Sequence, residues 1–199
     1  MTLLDPVVAG SEIVNTPVEP EPAVRTREIH VELIGARLRA DGDLDIGAYA
    51  RLSDYLERVE GFCTLRHARA KGLAVSGGNG KHELHVKLDQ IAVIAQSQLE
   101  SRPTGAGQVV KKLSHPLVIV TSAHVVSGTA HVHVEASLDA FLEAAYSAFI
   151  PLTDVQVRSL SGQPVGRYPF ALVQRRHIVA VTEQPDDAEG SALERDVEP

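Results

Sequence analysis

Two stretches of the chain, Ile29 to Gln96 and Pro116 to Glu183, carry the same pattern of apolar residues. Such a repeat constrains a fold more than composition does, because each stretch must bury an equivalent core. Leu33, Ala36 and Leu38 of the first match Val120, Ala123 and Val125 of the second, and Leu52, Tyr55 and Leu56 then match Leu138, Phe141 and Leu142. Phe62 and Leu65 meet Phe149 and Leu152; Val86, Ile91 and Val93 meet Val173, Ile178 and Ala180. The shared residues are mostly apolar, as expected if both stretches keep one core and diverge outside it.

Each stretch opens with alternating apolar residues, the mark of a half-buried strand. Placing Ala123, Val125, Val132 and Val134 on one face predicts a hairpin turning at Gly128–Thr129, since glycine in the first central position suits a type II′ turn. In the first stretch, Leu38 opposite Ile46 leaves Asp41, Gly42 and Asp43 as a three-residue loop. Leu52, Tyr55, Leu56 and Val59, and likewise Leu138, Phe141, Leu142 and Ala145, fall at helical spacing and predict two short amphipathic helices. Strands are expected at Phe62–Ala70 and Phe149–Ser159. Strand pairs follow around Leu84–Leu88 and Ile91–Ala95, and around Phe170–Val173 and Ile178–Thr182, each broken by about one turn. The expected fold is α+β and β-rich: two tandem pseudo-symmetric copies of a small bent sheet or barrel, each with one short helix. The predicted organisation is a flexible arm over 1–26, repeat 1 over 27–96, a linker over 97–115, repeat 2 over 116–183 and an acidic disordered tail over 184–199.

Arg51, Leu52, Ser53, Asp54, Tyr55 and Leu56 on the first helix, followed by Phe62 and Leu65 on a strand, resemble a motif of small bacterial domains of uncharacterised function. The second stretch departs from it, with Ser137, Leu138, Asp139, Ala140, Phe141 and Leu142, so the polar positions are not kept in register. The resemblance implies no activity.

Composition narrows the function. The 199 residues carry 19 Lys+Arg against 26 Asp+Glu, a formal charge of -7, with no Trp, which argues against a nucleic-acid binder needing cationic surface and stacking platforms. No apolar run approaches the ~18 residues of a spanning helix, and the start of the chain lacks the features of a secretory signal, so no membrane partner and a cytoplasmic location are expected. The single Cys63 suits a small apolar filler.

The one constellation with chemistry in it is histidine. In the II′ register His124 lies across from His133, and His131 and His133 share a face, so three imidazoles could make a zinc site with an open position. The plainer reading is the outward face of a hairpin, since the first stretch has Arg37, Asp45 and Gly47 there. The loop Gly77, Gly78, Asn79, Gly80, Lys81 fails as a phosphate loop, because Val75 stands where a glycine is required and His82 where Ser or Thr is required. Ser53 and Asp54, adjacent on a helix, point apart and make no nucleophile–base pair; Ser53 is read as a helix-start residue. The expected function is a non-catalytic protein-interaction or scaffold module, without catalytic residues or cofactor, that binds a protein partner or itself. The alternative is a metal sensor or metal-dependent enzyme using zinc at His124, His131 and His133.

Overall fold

The computed structural model describes residues 27–71, 83–98, 111–144 and 147–184. The predicted arm over 1–26, the loop Gly77–Lys81, most of the linker and nearly all of the acidic tail lie outside them.

Alternation sets the first strands. Ile29, Val31 and Leu33 turn inward from β1 (Glu28–Gly35), and Ala40 and Leu44 do so from β2 (Arg39–Asp45). A short helix, α1 (Leu52–Leu56), buries Leu52 and Leu56 and leads into β3 (Phe62–Lys71). β4 (Leu84–Lys87) and β5 (Ile91–Gln96) are separated by a 3-10 turn at Leu88–Gln90. The second run has β6 (Lys112–Thr121), β7 (His124–His133), α2 (Leu138–Glu143), β8 (Phe149–Ser159) and β9 (Pro164–Gln174), then a 3-10 turn at Arg175–His177 and β10 (Ile178–Glu183). β6 thus begins inside the span read as linker.

These strands do not make two α+β units. All ten join in one antiparallel sheet in the order β10-β6-β7-β8-β9-β5-β1-β2-β3-β4, and the helices are only five and six residues long. The chain is therefore nearly all β, and the expectation of two small sheets or barrels, each an α+β unit, is corrected to a single continuous sheet. The reason lies in β5 and β9. Every residue of β5 is buried, as befits a central strand with both faces covered. It pairs with β9 through Val93↔Val173, Ile94↔Leu172 and Ala95↔Ala171.

Across this joint the two halves exchange side chains. Phe149 and Leu172 from the second run pack into the first core, with Val31, Leu33, Leu44 and Leu65. Ile34, Ala92, Val93 and Ala95 from the first run pack into the second core, with Ile119, Val126, Leu152 and Val157. Each buried aliphatic side chain contributes about 1.5–3 kcal/mol, so the joint belongs to both cores and separates neither. Within the sheet the order β5-β1-β2-β3-β4 recurs as β10-β6-β7-β8-β9.

The hairpin registers also differ from expectation. β6 and β7 pair from Val120↔Val125 through Leu117↔Gly128 to Lys112↔His133, so the turn lies at Ser122–Ala123 and Gly128 is mid-strand. Likewise β1 and β2 pair Ile34↔Arg39 and Val31↔Gly42. Both glycines serve close approach instead of turning. A Cβ on Gly42 would stand 2.8 Å from the Arg66 carbonyl oxygen, and one on Gly128 would stand 3.1 Å from that of Thr153. The registers shift there, between Asp41 and Asp43 against β3 and between Ser127 and Thr129 against β8. Beside them His67 (φ 51°) and Asp154 (φ 54°) take the left-handed conformation, the signature of bulges that bend a sheet.

The helices are unequal. α2 has Ser137 as its N-cap, accepting from the Ala140 N–H at 3.1 Å, yet buries none of its residues fully. Its C-terminal carbonyls are held by Arg175, which donates to Phe141 (2.9 Å) and Leu142 and lies 5.8 Å from the centre of the Phe141 ring. In α1 the N-cap is Arg51, so Ser53, read as a helix-start residue, sits inside the first turn.

Candidate interaction surface and polar latch

The three histidines do not converge. His124 and His133 stand at opposite ends of β7, about 30 Å apart along an extended strand. Their side chains leave opposite faces: His124 points inward with Val126, Ala130 and Val132, while His131 and His133 point out. His124 is 9% exposed; Thr121 Oγ1 accepts from its N–H (3.0 Å) and donates to its carbonyl (3.1 Å), closing the turn. Burial and then the Arg39 charge hold its imidazole pKa low, so it is neutral near pH 7, and its Nδ1 has no hydrogen-bond partner. His131 bridges Ser114 (3.2 Å) and Thr153 (2.9 Å) on the neighbouring strands. His133 Nδ1 accepts from the Glu135 N–H at 3.3 Å. Among the described residues no group of three or more His, Cys, Asp or Glu is placed to hold a metal ion.

A second imidazole cluster went unnoticed in the sequence. On the outer face of β1–β3 the Asp43 carboxylate lies between His30 Nδ1 (2.8 Å) and His67 Nδ1 (2.9 Å). The His30 hydrogen bond, more than the one to His67, pushes Asp43 below the usual carboxylate range. Each ring spends Nδ1 on that one carboxylate.

The more consequential polar group spans the β5–β9 joint. Glu32 from β1 accepts a charge-assisted bond from Arg39 Nε of β2 and one at 2.7 Å from the Tyr168 hydroxyl of β9, with Lys71 Nζ at 3.6 Å. Burial by itself would raise the Glu32 pKa. The bonds from Arg39 and Tyr168 outweigh it and hold the carboxylate ionised below its ordinary range, while burial and the Glu32 contact push the Tyr168 phenol up. Both oxygens of Glu32 are occupied by these partners, which tie β1, β2 and β9 together as a latch. Pairing between residues so far apart in sequence leaves no local signal; the one cue was a carboxylate at an otherwise apolar strand end.

Tyr168 also borders a shallow groove of about 410 Å³ with Asp154, Val155, Gln156, Arg167 and Pro169. Tyr168→Phe removes a hydrogen bond to a charged acceptor, which is expected to cost about 1.5–3 kcal/mol at pH 7. A carboxylate with a lowered folded-state pKa stabilises above its unfolded pKa, and that contribution is lost as pH falls through the folded value. The urea-midpoint gap between wild type and Tyr168→Phe should therefore shrink at acid pH, where Glu32 is protonated in both. A gap independent of pH would show that the hydroxyl does not act through Glu32.

The sheet ends in two strand edges without a neighbour among the described strands, β4 and β10. Of the large apolar side chains among the described residues, the two most exposed are Phe62 (60%) on β3, where it pairs with β4, and Val179 (71%) on β10. Cys63 beside Phe62 is buried, its thiol pushed up to about 11 by desolvation, as suits an apolar filler. No helix among the described residues is long and apolar enough to cross a membrane. No protein-family profile, curated protein or solved structure matches the chain.

Proposed function

We propose that the protein is a non-catalytic interaction and scaffold module that works through the two open edges of its sheet. The observation that carries this reading is the placement of Phe62 beside the edge strand β4 and of Val179 on the edge strand β10. An open edge is a template for a further strand, and natural sheets usually guard it with charge, proline or a cover. β10 has neither charge nor proline from Ile178 to Thr182 and presents Val179, at a shift in its pairing with β6, and Ala180. The latch supports the same reading, because Glu32, Arg39 and Tyr168 are spent on one another. A cytoplasmic, bacterial setting and an ancestral repeat behind the two five-strand runs belong to the same proposal; the single buried cysteine supports the first, the resemblance of the Arg51–Leu56 motif the second and the apolar matches the third.

The test is capture with the full chain as bait, compared with a double variant carrying Phe62→Glu and Val179→Glu. Specific retention of a protein, a second copy of the chain included, should fall at least about tenfold, equivalent to about 1.4 kcal/mol. Equal retention by the double variant would remove the edges from the function.

A further inference from the structure

One joint inside the chain already shows how such edges are covered. It joins β9, the fourth strand of the second run, to β5, the fifth strand of the first. Among the described strands, those without a neighbour on one side are the fourth of the first run, β4, and the fifth of the second, β10. We propose that β4 of one copy pairs antiparallel with β10 of the next, so that copies assemble head to tail through the kind of joint that β9 and β5 make within one chain. This deepens, and rests on, the interaction reading above by naming the partner as a second copy.

The side chains at the two edges fit the part. Phe149 opens β8 and is buried in the first core at 3% exposure; Phe62 opens β3 in the corresponding place and is 60% exposed. Ala92 and Val93 of β5 are buried in the second core at 3% and 0%; Val179 and Ala180 hold the corresponding places on β10, and Val179 is 71% exposed. The exposed residues are those that the internal joint would bury. The pairing Val93↔Val173 and Ile94↔Leu172 translates into Val86 opposite Ala180 of the next copy and His85 opposite its Val181. Phe62 then enters the second core of that copy as Phe149 enters the first core of its own.

The between-chain joint is the more polar of the two. His85 stands where β9 has Leu172, and Lys87, paired with Asp89 at 2.9 Å, stands where β9 has Gln174. Glu183 on β10 is engaged by His115 at 2.6 Å. Apolar anchors ringed by charge suit a reversible association. Because the joined surfaces differ, the interface is heterologous and extends beyond dimers, to a ring where the rotation closes and to a filament where it does not.

Sedimentation velocity on the full chain tests this, from roughly micromolar to several hundred micromolar. Wild type should form species larger than a dimer as concentration rises. Phe62→Glu and Val179→Glu should each be monomeric throughout, with melting temperatures within about 2 °C of wild type, since both sites are exposed. The decisive sample is their mixture. The Phe62→Glu protein keeps an intact β10 edge and the Val179→Glu protein an intact β4 edge, so the two together should form a one-to-one dimer and stop there. A wild type that stays monomeric, single variants that assemble like wild type, or a mixture that stays monomeric would each overturn the proposal. If wild type stays monomeric while the double variant still loses a captured protein, self-association falls and the interaction reading stands.

Discussion

Phe149→Ala should lower the unfolding free energy by about 3–5 kcal/mol, the usual cost of removing a buried phenylalanine, and the loss should appear in both halves of the molecule at once. Phe149 belongs to β8 by sequence and to the first core by contact, at 3% exposure. Truncating it opens a cavity in the first core while weakening the strand that carries it. Denaturation followed by hydrogen exchange of β2 amides in the first run and of β7 amides in the second should shift together in a single transition. Two separated transitions would mean that the halves are independent and that the side chains exchanged at the joint do not couple them. Phe62→Ala is the control: the same deletion at 60% exposure should move stability by no more than about 0.5 kcal/mol in dilute solution.

The contrast between these phenylalanines also shows where sequence reasoning loses its grip. Alternation places Ile29, Val31 and Leu33 on one face of β1, and helical spacing places Leu52 and Leu56 on one face of α1, because both patterns are local consequences of backbone geometry. Which strand covers β5 is a different kind of fact. IAVIAQ is apolar on both faces, a sign that it is covered on both, but composition alone does not name β9 as its neighbour. Reading the two apolar runs as self-sufficient units therefore led to two small sheets where one sheet of ten strands exists. Gly42 and Gly128 misled for a related reason. Glycine permits a positive φ and also permits close backbone approach, and only the facing strand, through the carbonyls of Arg66 and Thr153, decides between them. Moving the turn from Gly128 to Ser122–Ala123 carries His124 to the far end and opposite face of β7 from His133, so the histidine cluster depended on the register. The latch of Glu32, Arg39 and Tyr168 joins two consecutive strands to one distant in sequence, and it emerges only once β9 is seated beside β5.

Leu56→Ala should cost about 2–5 kcal/mol, and Leu142→Ala distinctly less, although the two leucines occupy matching positions in the apolar pattern. Leu56 is 3% exposed and closes the first core together with Leu52, Cys63 and Leu65. Leu142 is only partly buried: α2 lies against the second core through Leu138, Phe141 and Leu142 without burying any of them fully. Less apolar surface leaves water when α2 docks, so less is lost on truncation. A second force also holds α2, because Arg175 binds the carbonyls at its C-terminal end and lies against the Phe141 ring, contacts that Leu142→Ala leaves in place. In α1 no side chain caps the N-terminus, so the helix depends on Leu52 and Leu56 to stay seated. Urea unfolding of the two variants under one condition decides the matter. Equal losses would mean that α2 is packed as deeply as α1 in solution, and a Leu56→Ala midpoint indistinguishable from wild type would remove α1 from the core.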